Sequence, residues 1–369
     1  MGYHRRVPHR KRTLRVAISL GLAGLLLVLF LRTLDFAAVG RAIAAAHVPW
    51  LVVATLAGLI STPPLRSWRW GLLLKKAGRP SPFQLNSATA IGFAASTLLP
   101  ARAGEIVRPV ALARSAGLPL APCFASIALE RLIDLVTVIA LFVAYAVGWA
   151  PTGMGGEEAG RFELLRRSAF LLGAGTIVGL AFLGFLAAKP ARVDSLVRPF
   201  LRPLPDRIGA KIESILHSFL DGLGALGTVR DVLVVAAASL FLWMLISFQV
   251  WCTLRAFDLD FPFPVTFFVI TWAVLGLAIP TPGGVGGYHA AVAYSLVGFY
   301  GVSKNTAAAF ALVSHALSFV PITLIGLAFL AAGGLSLKSL ADEPAPGPQP
   351  SSSPNPTPAD STPASRPPA

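Results

Sequence analysis

Charge is scarce in this chain and unevenly spread. Only 13% of the 369 residues are Asp, Glu, Lys or Arg, against 55% hydrophobic, and between residues 261 and 303 there is none. With a mean hydropathy of +0.70, such a chain cannot enclose its apolar surface in one water-soluble core. That excludes a soluble enzyme and implies a polytopic membrane protein. Cysteine is almost missing: Cys123 and Cys252 both sit in apolar segments without metal-ligand spacing, so neither a disulfide framework nor a zinc site is expected. No nucleotide-binding motif is found, and no cofactor is implied. Acidic residues are outnumbered 17 to 31 by Lys and Arg, a net charge of +14. In a soluble domain that balance would suggest nucleic acid. Here the basic residues cluster beside apolar spans, so membrane orientation and anionic lipid headgroups explain them instead.

What is present is a series of apolar segments, at 16–31, 50–65, 83–101, 120–149, 168–188, 232–254 and 261–303. About 20 residues suffice to cross a bilayer. The first follows a basic leader, residues 1–15, and reads as a signal anchor. Two segments are interrupted by Pro and Gly: LLPARAGEIVRP at 98–109 and IPTPGGVGGYHA at 279–290. Irregular backbone at membrane depth is tolerated only where protein buries it or a polar cavity adjoins it. If both breaks are re-entrant, one face of the membrane receives 19 Lys and Arg and the other 7, the asymmetry expected of a cytoplasmic and an outer face. If the first break crossed fully, the basic segment 189–230 would be exported.

The predicted fold is therefore an all-α polytopic membrane protein of about six full transmembrane helices plus two re-entrant broken helix hairpins. The hairpins enter from opposite faces, which makes the two halves, 16–149 and 168–338, an inverted repeat. Inverted repeats with discontinuous helices near the midplane are a recurring transporter plan. Residues 189–230 carry apolar positions at helical spacing and read as an amphipathic cytoplasmic connector. The tail, residues 341–369, is rich in Pro and Ser without an apolar run and is predicted to be disordered. Both termini fall on the cytoplasmic side.

Charged residues inside such a membrane domain are costly and mark candidate sites. Arg102, Glu105 and Arg108 lie at three-residue spacing just past the first break. Two guanidiniums around one carboxylate suit bidentate binding of a lipid phosphate, or else an ion-pair cluster that closes the hairpin. Glu130, Arg131 and Asp134 fall in the following helix, with Glu130 and Asp134 on one face. Arg102 and Arg108 are their expected partners. In the second break, Gly283, Gly284 and Gly286 offer either backbone amides for an anion or room for tight helix packing. His289 and His315 read as buried polar groups or as proton-coupling residues. RSWRWGLLLKK, starting at Arg66, reads as interfacial anchoring by alternating Trp and basic side chains.

RSWRWGLLL, LLPARAGEIVRP, ALERLIDL at 128–135, IPTPGGVGGYHAA and ALVSHALSFVPITLIGL together resemble the flippase-like family, the transmembrane region of lysylphosphatidylglycerol synthases. The resemblance covers most of residues 66–330. The chain is similar to a branch bearing His289 and His315 where many relatives carry Glu and Arg, and it lacks the aminoacyl-transferase half of the synthases. The resemblance implies lipid translocation across a bacterial inner membrane, with membrane lipids as partners and a separately encoded lipid-modifying enzyme as a further candidate. It implies a transporter rather than an enzyme. Two other functions fit the residues: a membrane-embedded transferase on a lipid-linked substrate, with Glu105 or Glu130 as base, and a non-catalytic scaffold in which the charges hold helices together.

Overall fold

The computed structural model describes residues 9–32, 34–99, 103–152, 156–188 and 228–333. The leader up to residue 8, Arg102, most of the connector and the tail lie outside the described residues. All described regular structure is helical. We number the helices α1 (His9–Leu31), α2 (Phe36–Ala44), α3 (Val48–Ile60), α4 (Arg66–Leu73), α5 (Pro82–Leu98), α6 (Gly104–Ala116), α7 (Leu120–Gly148), α8 (Gly156–Ala188), α9 (Val229–Ala256), α10 (Val265–Ala278), α11 (Gly287–Tyr300) and α12 (Lys304–Ala332).

Four continuous helical runs are long and apolar enough to cross a membrane: Val48–Leu73, Ala159–Phe185, Val229–Ala256 and Lys304–Ala332. Leu20–Leu31 joined to Phe36–Ala44 across an 85° bend makes a fifth. Helix α7 also runs 29 residues, about 43 Å, but carries Glu130, Arg131 and Asp134 in its first half. Side-chain contacts sort the helix ends into two groups. At one end, which we call the proximal end, Gln84 Nε2 donates to Ser115 O at 2.6 Å, Lys75 pairs with Asp231 at 2.7 Å, and the Phe83 ring meets Phe329. At the distal end, His47 pairs with Asp258, the Asp35 amide donates to Asn305 Oδ1, and Phe261 packs on Tyr300.

Helices α5 and α6 form a hairpin whose open end is proximal, and α10 and α11 form one whose open end is distal. The two breaks therefore enter from opposite faces, as loop charge predicted. Glycine allows both hairpins to close. A Cβ on Gly104 would lie 1.9 Å from Gly92 O, and one on Gly276 would lie 2.5 Å from Gly287 O. The packing of the two halves matches pair for pair: α5 lies on α12 as α10 lies on α7, α6 on α7 as α11 on α12, and α2 on α12 as α8 on α7. Helices α3 and α9 pair across the centre. This is the inverted repeat in contacts.

One expected boundary moves. The second span does not stop near Leu65. It kinks at Thr62, where Pro63 and Pro64 lack the N–H groups needed to carry the helical ladder, and then continues to Leu73. Arg66, Ser67, Arg69 and Trp70 therefore lie buried in the bundle, and the apolar span ends at Leu73, just before Lys75 and Lys76.

Candidate functional site

The moved boundary builds the site. Arg66 and Arg69 lie three residues apart on α4 and project toward α7, where Glu130 and Asp134 lie four apart on the facing side. Arg69 Nη1 approaches Asp134 Oδ1 at 2.7 Å, and Arg66 Nη1 approaches Asp134 Oδ2 at 2.9 Å and Glu130 Oε1 at 3.4 Å. From α6, Arg108 Nη1 donates to the same Glu130 oxygen at 2.7 Å. Arg131 also donates to it, and lies 3.4 Å from Asp134. The side chains of Arg69 and Glu130 are fully buried, whereas that of Arg131 is 43% exposed. At 1.5 Å per residue its members lie from about 6 Å (Arg69) to about 21 Å (Asp134) from the proximal ends of their own helices.

Neutral groups hold the charges in place. Trp243 Nε1 donates to Asp134 Oδ1 at 3.2 Å, and Arg69 Nη1 donates to Ser239 Oγ at 2.9 Å, so α9 is tied to the cluster. The Arg108 guanidinium lies 4.1 Å over the ring of Trp70, which donates to Ser126 Oγ at 2.8 Å. Arg66 stands over Phe93. Trp68, two positions from Trp70, is 51% exposed. The two tryptophans should therefore separate on mutation. Trp70→Ala is expected to cost about 3 kcal/mol through lost packing and a lost hydrogen bond, and Trp68→Ala within about 0.5 kcal/mol. Thermal unfolding of the purified variants in detergent checks this.

A cavity of about 80 Å³ opens beside the cluster, lined by Gly92, Phe93, Ser96, Glu105, Arg108 and Arg131 among others. Its volume suits a few waters or a small polar group. Five guanidinium nitrogens of the cluster have no hydrogen-bond partner: Arg66 Nε, Arg69 Nε and Nη2, and Arg108 Nε and Nη2. Glu130 Oε2 also lacks one. Of the cluster, Arg108 and Arg131 line the cavity, together with Glu105.

The predicted site residues divide into two groups. Arg108, Glu130, Arg131 and Asp134 converge in the cluster. Glu105 is exposed at the cavity mouth; the carboxylate that Arg108 reaches is Glu130, because Arg108 packs against Gly92 and turns toward α7 while Glu105 turns outward. Arg102 lies outside the described residues. The second hairpin stands apart from the charges. Gly283, Gly284 and Gly286 adopt φ of 58°, 73° and 86°, a region that side chains rarely occupy. The amides of Gly284 and Val285 donate to Thr281 O and Pro282 O, and that of Gly286 donates to His289 Nδ1 at 3.3 Å, so these three already have acceptors. His315 Nε2 donates to Gly283 O at 2.7 Å, and its ring packs on His289. His289 therefore fastens the turn as an acceptor at Nδ1, and His315 fastens it as a donor. A Cβ on Gly283 would lie 3.4 Å from Thr97 O, so the tip of the second hairpin rests on the end of α5.

Arg66, Arg69, Trp70, Ser239 and Trp243 were not legible as site residues. One sign was available for the arginines. Lys75 and Lys76 already mark a boundary, which places basic residues about two turns earlier inside the span. Among the described residues, no group of three or more His, Cys, Asp or Glu is placed to hold a metal ion, and both cysteines are free and buried.

Fold and site together define a multi-pass helical membrane protein with a buried arginine–carboxylate centre beside the first of two oppositely inserted hairpins. By sequence the chain belongs to the lysylphosphatidylglycerol synthase transmembrane-region family, whose profile matches residues 14–326. It is 29% identical over 358 residues to a protein named glycosyltransferase AglD from Haloferax volcanii, covering 90% of this chain and 57% of that one. It is 28% identical over 265 residues to a UPF0104 membrane protein from Methanothermobacter thermautotrophicus, covering 67% and 75%. The chain thus spans little more than half of the first relative's length.

Proposed function

We propose that this protein is a lipid translocase that carries an anionic, phosphate-bearing headgroup across the bacterial inner membrane, with the proximal end cytoplasmic. The observation that carries this reading is the buried cluster of Arg66, Arg69, Arg108, Glu130, Arg131 and Asp134, of which Arg108, with its Nε and Nη2 unpartnered, and Arg131 line a cavity. A purely structural ion-pair cluster would match its donors to acceptors, since a buried donor without one is costly. Helix α5 links site to gate: Phe93 and Ser96 line the cavity, while Thr97, one residue on, touches the tip of the second hairpin and bonds Thr323 of α12 at 3.1 Å. Rocking of the second hairpin and α12 against the first half would then open the cavity to alternate faces. A gradient, consumption of the lipid or a lipid-modifying partner enzyme would supply the drive.

The test uses reconstituted vesicles with a fluorescent anionic glycerophospholipid. Wild type is expected to move label between leaflets, and Arg131→Gln to reduce that rate at least tenfold while retaining its melting temperature, since Arg131 is half exposed. Equal rates in both proteins would sink the reading.

The relative named as a glycosyltransferase favours a second reading, a membrane-embedded transferase on a lipid-linked substrate. Glu130 is a poor base for it, because its Oε1 already receives Arg66, Arg108 and Arg131. Formation of a new lipid species by purified protein would favour this reading.

A further inference from the structure

We infer that the groove between α4 and the start of α5 is a second lipid site, which seats an anionic phospholipid of the proximal leaflet outside the arginine–carboxylate cluster. The inference needs only the membrane setting and is independent of the translocase reading. The groove measures about 620 Å³. Pro64, Trp68 and Leu72, each four residues from the next, form one wall, and Pro82 and Leu85 on α5 form the other. They lie on the outward side of the span whose inner side buries Arg66 and Arg69. From Pro64 to the end of the apolar run at Leu73 the rise is about 14 Å, close to the ~15 Å hydrocarbon depth of one leaflet. The hydroxyl and the amide in the lining are already satisfied. Ser67 Oγ donates to Asn86 Oδ1 at 2.9 Å, and Asn86 Nδ2 donates to Pro82 O at 2.8 Å. The walls therefore offer apolar contact to an acyl chain without leaving a polar group dry.

The proximal rim carries the charge. Lys75 and Arg79 both line the groove, and no acidic residue does. Lys75 gives one bond to Asp231 at 2.7 Å, and that carboxylate also accepts from Thr228, which ties it down outside the groove. The Lys75 side chain is still 52% exposed, and an ammonium has three protons to donate. Arg79 is exposed and pairs with no carboxylate among the described residues. Both cations stand just past the end of the apolar run at Leu73, at the level of a phospholipid phosphate, while Leu72 and Trp68 lie one and two turns deeper, beside its chains. Charge then selects the ligand. Each basic side chain at this level favours an anionic lipid about fivefold, whereas a zwitterionic headgroup brings its own cation to the rim. A lipid seated here braces α4 against α5 where the two helices come close, since a Cβ on Gly71 would lie 2.9 Å from Leu85 Cδ1.

The test takes the full chain in detergent with a phosphatidylglycerol whose acyl chain carries a diazirine, and reads the photolabelled peptides by mass spectrometry. Label is expected within residues 64–86. Unlabelled phosphatidylglycerol should compete for that label about tenfold more strongly than phosphatidylcholine. Arg79→Gln should lower the preference about fivefold and keep the melting temperature, because this side chain is exposed. Arg131→Gln, at the cavity beside the cluster, should leave the labelling of 64–86 unchanged. Equal competition by the two lipids, or a preference that Arg79→Gln does not lower, overturns the assignment. A groove filled by another segment of the chain gives no label in 64–86 and overturns it as well. Label confined to residues 92–131 also overturns it, and places the lipid in the cavity on which the translocase reading rests, so the two readings fail separately.

Discussion

Glu130→Gln is expected to destabilise the protein by about 3–5 kcal/mol, the usual cost of removing one partner from a buried ion pair. The cause is specific. Glu130 Oε1 lies within 3.4 Å of donors from α4, α6 and α7, so its charge is the common counter-ion of three helices. An amide of the same shape leaves four guanidiniums facing Asp134 alone. Paired removal should hurt less than the sum of its parts, because Glu130→Gln with Arg108→Met takes away one charge of each sign. Thermal unfolding of the two single variants and the double variant in the same detergent gives the coupling. A melting temperature unchanged in Glu130→Gln would mean that water, not the arginines, compensates this carboxylate.

The second large effect is steric. A Cβ on Gly104 would fall 1.9 Å from Gly92 O and 2.1 Å from Ser96 Oγ, so Gly104→Ala must push α6 away from α5 by more than 1 Å. Overpacking of this kind costs about 1–3 kcal/mol and more when backbone must move. It also withdraws Arg108, four residues on, from Glu130. On the translocase reading proposed above, lipid movement should therefore be lost even where the variant still folds. Gly276→Ala in the other hairpin meets Gly287 O at 2.5 Å and is expected to be milder. Gly148→Ala, with open space around it, should fall within about 0.5 kcal/mol of wild type. Unfolding midpoints and vesicle transport on the same three proteins check the ranking.

Much of this architecture was legible in the sequence because the bilayer reads the chain one segment at a time. Span length, basic loops and the Pro-Gly breaks are local properties, and they gave the hairpins, their opposite entry and the repeat. The site was half legible. Arg108, Glu130, Arg131 and Asp134 stood out as charge in apolar surroundings. Arg66 and Arg69 did not, because alternating Trp and Arg beside Pro63–Pro64 is equally the pattern of a membrane boundary. Only the continuation of the helix past the kink separates the two.

The sequence by itself determined that the protein is a helical membrane protein with two re-entrant breaks facing opposite ways, because solvent partition and charge bias act on each segment independently. Tertiary structure alone decided which charges meet, that Glu130 serves three helices at once, and that three amides of the GGVGG turn already have acceptors while the first hairpin borders the arginines. Those outcomes depend on which faces of distant helices come within about 3 Å of each other. No periodicity along a single chain encodes that distance.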